Sequence, residues 1–269
     1  MKLGIVIVVY KTDLNQISII QTVLQEMIKT PSLELLVFEN SAKKNQKDLT
    51  LNKQGYYFHQ QTKNLGTAGA YSFAINFFEK LNCTHLALFD QDSVINAKYF
   101  MQVNRILSLN SVSVAIPKVI SNKVQVSPSY FNHLWGPTQH KPLFPVVKSF
   151  RTAISSGSIH SIDVIKQFKP FPKEFWLDYF DHWLFWIYDK NNISIDIIDY
   201  VILHDLSIQN FQDISDFRLK NIYQSEKLFF CNKLQGLSVY AYYFKLLIRA
   251  FKILFTKPNQ FFRYFKLQF

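Results

Sequence analysis

Two carboxylates spaced i, i+2 directly follow an apolar run in Leu86-Ala87-Leu88-Phe89-Asp90-Gln91-Asp92-Ser93. Four apolar residues read as a buried strand. Along extended backbone, side chains two apart share a face, so Asp90 and Asp92 can converge on one point. Converging carboxylates at a strand end suit a hard divalent cation, Mg²⁺ or Mn²⁺, which takes oxygen ligands and keeps room for water and phosphate. The same residues also fit a polar turn chosen for turn chemistry alone.

Other polar groups stand where further strands should end. Tyr10 closes the run Ile5-Val6-Ile7-Val8-Val9, Glu39-Asn40 follows Leu35-Leu36-Val37-Phe38, and His204 follows Tyr200-Val201-Ile202-Leu203. In an open α/β sheet such ends share one rim, where ligands bind. There Tyr10 can stack on a base, Glu39 can accept from a base imide, and His204 can join Asp92 around a metal or serve as a structural group. Asn64-Leu65-Gly66-Thr67-Ala68-Gly69 places glycines at a helix start, which suits an anion or simply a tight turn. Asp178 and Asp181 lie three apart on one face of another helix start. Either could act as a general base if an acceptor hydroxyl came within hydrogen-bond reach.

The elements that must carry these groups alternate. Lys2 to Val9 reads as a strand buried on both faces, and Asp13 caps a helix over residues 14–29. Strands follow at 34–38 and 55–59, a helix from about Ala70, a strand at 86–89, a helix over 97–109 and a strand over 112–116. Residues 121–150, with Pro128, Pro137, Pro142 and Pro145, read as irregular. A helix begins near Ile162, another runs from about Phe175 to Lys190, and a last strand spans 194–203. This order predicts an α/β fold with a mostly parallel sheet. The chain of 269 residues, 48% apolar, can bury a substantial core. Cys83 and Cys231 have no metal-ligand or redox spacing and read as reduced structural thiols. The first apolar run is too short to span a bilayer and no small-residue cleavage site follows, which predicts a cytoplasmic protein.

The net charge of +11 is concentrated. Arg218 to Phe269 holds ten Lys or Arg and one acid, Glu226, and so carries +9 of it. Lys245, Arg249 and Lys252 recur at i, i+4, i+7 on a helix over 237–255 that is otherwise apolar and aromatic. Pro258 breaks it, and residues 260–266, with Arg263 and Lys266, repeat the composition. Three charges disfavour a bilayer span, and a helix lying on an anionic membrane surface fits. Packing on the rest of the chain or on a partner would also account for it.

With these residues in view, the chain resembles a family 2 glycosyltransferase of the GT-A fold, of the bacterial rhamnosyltransferase type. The matching pieces are residues 5–10, Phe38-Glu39-Asn40-Ser41, Asn64 to Gly69, Leu88 to Ser93, Ser156-Gly157, Leu177 to Asp181, Leu203 to Leu206 and Lys220-Asn221-Ile222-Tyr223, over about residues 1–225. The resemblance implies a GT-A catalytic domain over 1–215, with a nucleotide-sugar half to about 117 and an acceptor half from about 118, followed by a basic aromatic tail over 216–269. It implies that Val9, Tyr10, Glu39 and Asn40 hold the base and ribose. Asn64, Gly66 and Gln91 would line the donor site beside them. Asp90 and Asp92 would be the Asp-x-Asp pair, with Asp92 and His204 at an Mn²⁺ or Mg²⁺ ion. Asp181 matches the base of an inverting transfer, Asp178 being the alternative, and Ser156, Gly157 and Trp183 fall in the acceptor region. Where the family has a second acid after the base this chain has Trp183, and where it often has an arginine stand Trp186 and Tyr188.

The implied partners are a dTDP- or UDP-linked sugar, rhamnose or another hexose, and a lipid-linked glycan of bacterial surface polysaccharide synthesis at the inner face of the plasma membrane. A homodimer is compatible with this reading. Two other readings use the same residues. One is a nucleic-acid binder working through the basic tail, against which the tail's apolar density argues. The other is an inactive transferase-like scaffold.

Overall fold

The computed structural model describes residues 2–42, 47–51, 55–108, 111–141, 148–203, 215–256, 258 and 261–268. His204, Pro142, Pro145 and part of the Lys-rich stretch after Ser41 lie outside the described residues.

The first half alternates strands and helices as expected, with one added strand, β3, that the polar stretch before Gly55 did not suggest: β1 (Leu3–Val9), α1 (Ser18–Lys29), β2 (Leu33–Glu39), β3 (Lys47–Leu51), β4 (Tyr57–Gln60), α2 (Gly66–Lys80), β5 (His85–Asp90), α3 (Ala97–Ser108) and β6 (Val114–Ser121). The second half contains β7 (Val124–Ser127), β8 (Ser129–Asn132), β9 (Gly136–Thr138), β10 (Ser149–Thr152), β11 (Ser158–Ser161), α4 (Ile162–Ile165), α5 (Phe180–Lys190) and β12 (Ile195–Leu203). The tail is α6 (Asp216–Leu228), a π-helical stretch Phe229–Leu234, α7 (Leu237–Thr256) and α8 (Phe261–Gln268).

The large sheet has the order β12-β6-β11-β5-β1-β2-β4-β3, with β7 added on β6. β1 is central and pairs in parallel with β2 and β5. Its β-branched run is buried on both faces because helices cover both. Ile5, Ile7 and Val9 pack with Ile20 of α1 and Tyr99 and Val103 of α3. Val6, on the opposite pleat, packs with Ala74 and Phe78 of α2. Gly4 has no side chain because Phe78 lies where a Cβ would be. Asp13 caps a short 3₁₀ turn ahead of α1, its carboxylate accepting from the Asn15 amide at 3.0 Å.

Two features depart from expectation. Residues 121–150 are not irregular throughout: β7 forms a hairpin with β6, and β10-β8-β9 form a small antiparallel sheet. These strands run three or four residues, too short for a period-2 pattern to stand out. Phe131 and Phe150 stack inward from them, with centroids 5.3 Å apart. Secondly, β11 inserts antiparallel between β5 and β6. Its sequence Ser-Ile-His-Ser carries little strand signal, yet it brings residues 155–158 alongside the end of β5.

The tail is helical, as expected, and packs into the same core. Phe229, Phe230, Tyr242 and Leu246 join Phe131, Phe175 and Trp183 in one buried cluster. Among the described residues, no helix is long and apolar enough to cross a membrane.

Candidate active site

The strand ends do form one rim. Val9 is in register with Glu39, Val8 with Asp90, and Glu39 with Gln60. Three hydrogen bonds then lock the ends together. The Asn40 amide donates to the Val9 carbonyl at 2.8 Å, the Tyr10 amide to Gln91 Oε1 at 2.8 Å, and the Lys11 amide to Ser41 Oγ at 2.6 Å.

Several residues expected to touch a ligand also help to build this rim. Val9 is fully buried. Glu39 is buried and accepts from the Ser41 amide at 2.9 Å. The Asn40 carboxamide accepts from the Leu65 amide at 2.8 Å and donates to the Gly66 carbonyl at 3.1 Å, so it fastens the loop before α2. At that helix start the Gly66 amide is taken by Asn64 Oδ1 and the Ala68 amide by the Trp176 carbonyl. These donors do not offer the anion cradle suggested by the glycines. Gly66 is required for another reason: φ is +66° and the Trp176 backbone lies where its Cβ would stand. Tyr10, by contrast, is 42% exposed, with the Lys11 ammonium 5.2 Å from its ring centroid.

The acceptor-side residues divide in the same way. Ser156 is buried and its hydroxyl hydrogen-bonds that of Ser93, joining the turn after β5 to the loop before β11. Gly157, at φ +78°, donates its amide to the Leu88 carbonyl at 2.7 Å and accepts from the Tyr99 hydroxyl at 2.9 Å. Trp183 does not face the cleft. It is buried with Phe171 and Phe180, each ring centroid 5.9 Å away, because α5 turns its apolar stripe inward. Asp178 is buried in an ion pair with Arg218 at 3.0 Å, and burial raises its carboxyl from the usual range against the pull of that arginine.

Asp181 has different surroundings. Half-buried at the first turn of α5, it accepts from the Ser155 amide at 3.1 Å and from the Ser155 hydroxyl. The neighbouring Ser156 hydroxyl lies 3.5 Å from the Asp90 amide. Tyr71 of α2 is fully buried in the same region. Burial pushes its hydroxyl well above the ordinary tyrosine range, and the charges of Asp90 and Asp181 push it the same way. That hydroxyl has no hydrogen-bond partner among the described residues. Asp90 and Asp181, 91 positions apart in the chain, are thus linked through the adjacent residues Ser156 and Ser155. Ser155 and Tyr71 were not singled out by the sequence. Ser155 lay beside a Ser-Gly turn signal, whereas Tyr71 reads as one more core aromatic of α2.

For a divalent cation, Asp90 is half-buried and Asp92 exposed at the turn after β5, and both offer hard oxygens. No group of three or more His, Cys, Asp or Glu suited to a metal is present among the described residues. Magnesium and manganese sites often take only one or two carboxylates and complete their shell with water and phosphate, so the pair fits. Val94, two residues beyond Asp92, bridges Leu203, the residue before His204.

The basic stripe of α7 is divided between inside and outside. Lys245 Nζ lies 2.6 Å from Glu226 Oε1, and Arg249 Nη1 lies 2.9 Å from Glu226 Oε2. Two of the three cations expected at a membrane are therefore neutralised within the chain, because α6 supplies Glu226 opposite them. Arg263 pairs with Asp216 at 2.6 Å. Lys252 and Lys266 are exposed.

No protein-family profile matches the chain, and no curated protein matches it. Solved structures do. TarS 1–349 of S. aureus in complex with UDP-GlcNAc superposes with a TM-score of 0.60 at 12% identity, over 99% of this chain and 79% of that one. GalNAc-T7 with UDP, GalNAc and Mn²⁺ superposes with a TM-score of 0.56 at 12% identity, over 84% of this chain and 48% of that one. TarS 1–349 with UDP gives 0.51 at 14% identity, over 88% and 74%. The chain spans less than half the length of GalNAc-T7 and 40% of the longer TarS chain. The fold is that of the GT-A glycosyltransferase structures: a mostly parallel central sheet flanked by helices.

Proposed function

We propose that this chain is a glycosyltransferase that uses a nucleoside-diphosphate sugar and inverts the anomeric centre. The observation that carries the reading is that the adjacent Ser155 and Ser156 bring Asp181 and Asp90 together, at the rim where the sheet delivers its strand ends. Neighbours of the same fold were crystallised with UDP and UDP-GlcNAc, which supports a nucleotide-sugar donor.

Asp181, aligned by Ser155, takes the proton from the acceptor hydroxyl. That oxygen forms a bond to the anomeric carbon from the far face, while the bond from that carbon to the diphosphate oxygen breaks and the electron pair leaves with the diphosphate. Asp90 and Asp92, with His204 as a further candidate, would hold Mn²⁺ or Mg²⁺, which supplies charge neutralisation for the diphosphate. Tyr10, exposed at the end of β1, is the residue placed to stack on the base, with Gln91 keeping its backbone in position. The donor is a dTDP- or UDP-linked hexose, rhamnose included, and the acceptor a lipid-linked glycan.

The exposed side of α7 supports membrane attachment. Tyr240, Phe244, Leu247, Ile248, Phe251 and Phe255 repeat at helical spacing and are exposed, while Tyr242, Lys245, Leu246 and Arg249 face the protein. The aromatic face, not the basic stripe, would enter the lipid interface at the inner face of the plasma membrane.

The test is a turnover screen of UDP- and dTDP-sugars with Mn²⁺, run with wild type and Asp181→Asn. General-base catalysis contributes about 10²–10⁴-fold, so the variant should lose that much turnover yet still bind nucleotide. An Asp181→Asn protein with full turnover refutes the assignment.

A further inference from the structure

Asp181 stands on the first turn of α5, and the backbone enters that helix through an unusual residue. Tyr179 is left-handed, φ +64°, and its carbonyl accepts from the Trp183 amide at 2.9 Å. A residue with a Cβ is unfavourable in that region and stays there only when its surroundings hold it. Its ring packs edge-on against His182 at 5.2 Å and lies 5.7 Å from Phe229 of the tail. Burial holds its hydroxyl well above the ordinary tyrosine range, and the nearby charge of Glu226 pushes it the same way.

Glu226 is itself anchored from a third element. It comes from α6, is 3% exposed, and receives both Lys245 and Arg249 of α7. The arginine binds fork to fork, Nη1 to Oε2 at 2.9 Å and Nη2 to Oε1 at 3.0 Å. Arg249 also lies over the Tyr223 ring, 5.2 Å from its centroid. A bidentate arginine is more directional than an ammonium, so this carboxylate has a defined orientation.

We propose that the Glu226–Lys245–Arg249 cluster is a positioning device for the catalytic aspartate: through Tyr179 it fixes the entry into α5 and so keeps Asp181 against Ser155. The proposal rests on the reading of Asp181 as the base. Glu226 is a positioning residue, joined to the reaction only through Tyr179. The tail is then needed for turnover even on a water-soluble acceptor, apart from any role at a membrane.

Two variants of the full chain test this, each measured by hydrogen exchange and by turnover. Tyr179→Phe removes one hydroxyl and leaves the ion cluster whole. Glu226→Gln loosens the cluster itself. In both, amide exchange over residues 180–184 should speed up by at least about tenfold, with β1 and β5 unchanged. The kcat should fall by about ten- to a hundredfold at unchanged KM for the donor. Unchanged exchange over 180–184 in Tyr179→Phe overturns the proposal, and so does faster exchange with wild-type kcat. Asp181→Asn in parallel separates the two claims: full turnover there refutes the base, while the exchange data still judge the link from the tail to α5.

Discussion

Replacing Gly157 by alanine should damage the protein in a way the structure lets one apportion. Gly157 sits at φ +78° in the loop that carries Ser155 and Ser156. An L-residue there costs about 1–2 kcal/mol of backbone strain. The new methyl would also overlap Ile202 Cδ1 and stand 3.0 Å from Pro117 Cγ. Ile202 is fully buried, so the clash is relieved only by moving packed atoms, at about 1–3 kcal/mol. Together the loss is about 2–5 kcal/mol, or a fall in Tm of roughly 5–20 °C for a chain of this size. Urea unfolding followed by tryptophan fluorescence reads it directly. The clash can be isolated, because Ile202→Val removes the offending Cδ1 at its own cost of about 0.5–1.5 kcal/mol. In that background Gly157→Ala should cost less than in the parent, the strain of about 1–2 kcal/mol together with the remaining Pro117 contact. An equal cost in both backgrounds, or a cost below about 1 kcal/mol in the parent, would refute the reasoning.

Acid should weaken the fold through two histidines, fully buried His160 and half-buried His182. Burial, with His85 nearby, lowers His160 to about 3, and burial, with Lys245 nearby, lowers His182 to about 4. The unfolded chain binds protons on these rings near pH 6.5 and the folded one does not. Stability is therefore whole above that pH and drains as pH falls towards 4, by about 1.4 kcal/mol per unit for each ring. A urea series across that range measures the slope, and His182→Asn should reduce it. Chelation by EDTA should abolish sugar transfer and Mn²⁺ should restore it; transfer that persists in EDTA argues against Asp90 and Asp92 as metal ligands. Phe244→Glu with Phe251→Glu should release the protein from vesicles by at least about tenfold, each large apolar side chain contributing about 1.5–3 kcal/mol when buried. Flotation assays with neutral and anionic lipid check this; undiminished binding would exclude the aromatic face.

Apart from β3, the strand and helix order of the first half was legible because it is written in long periodic runs. The residues Leu3–Val9 could only be a strand buried on both faces, and β2 and β5 carry the same kind of run. The shorter strands of the second half were hidden, since three or four residues hold too little pattern. Residue type alone also did not show the structural work these residues do: Asn40 and Asn64 both hydrogen-bond the loop before α2.

By itself, then, the sequence determined which strand ends carry polar groups, because a strand's C-terminus is a local property of its run. Only the tertiary structure decided which of those groups meet. Asp90, Ser155 and Asp181 are brought together by the antiparallel insertion of β11 beside β5, a pairing across 70 residues that no local pattern encodes. The direction in which α7 turns its cations was settled likewise, by one buried acid on a neighbouring helix: a charge in a low-dielectric interior draws its counter-charges inward, whatever the composition of the face they came from.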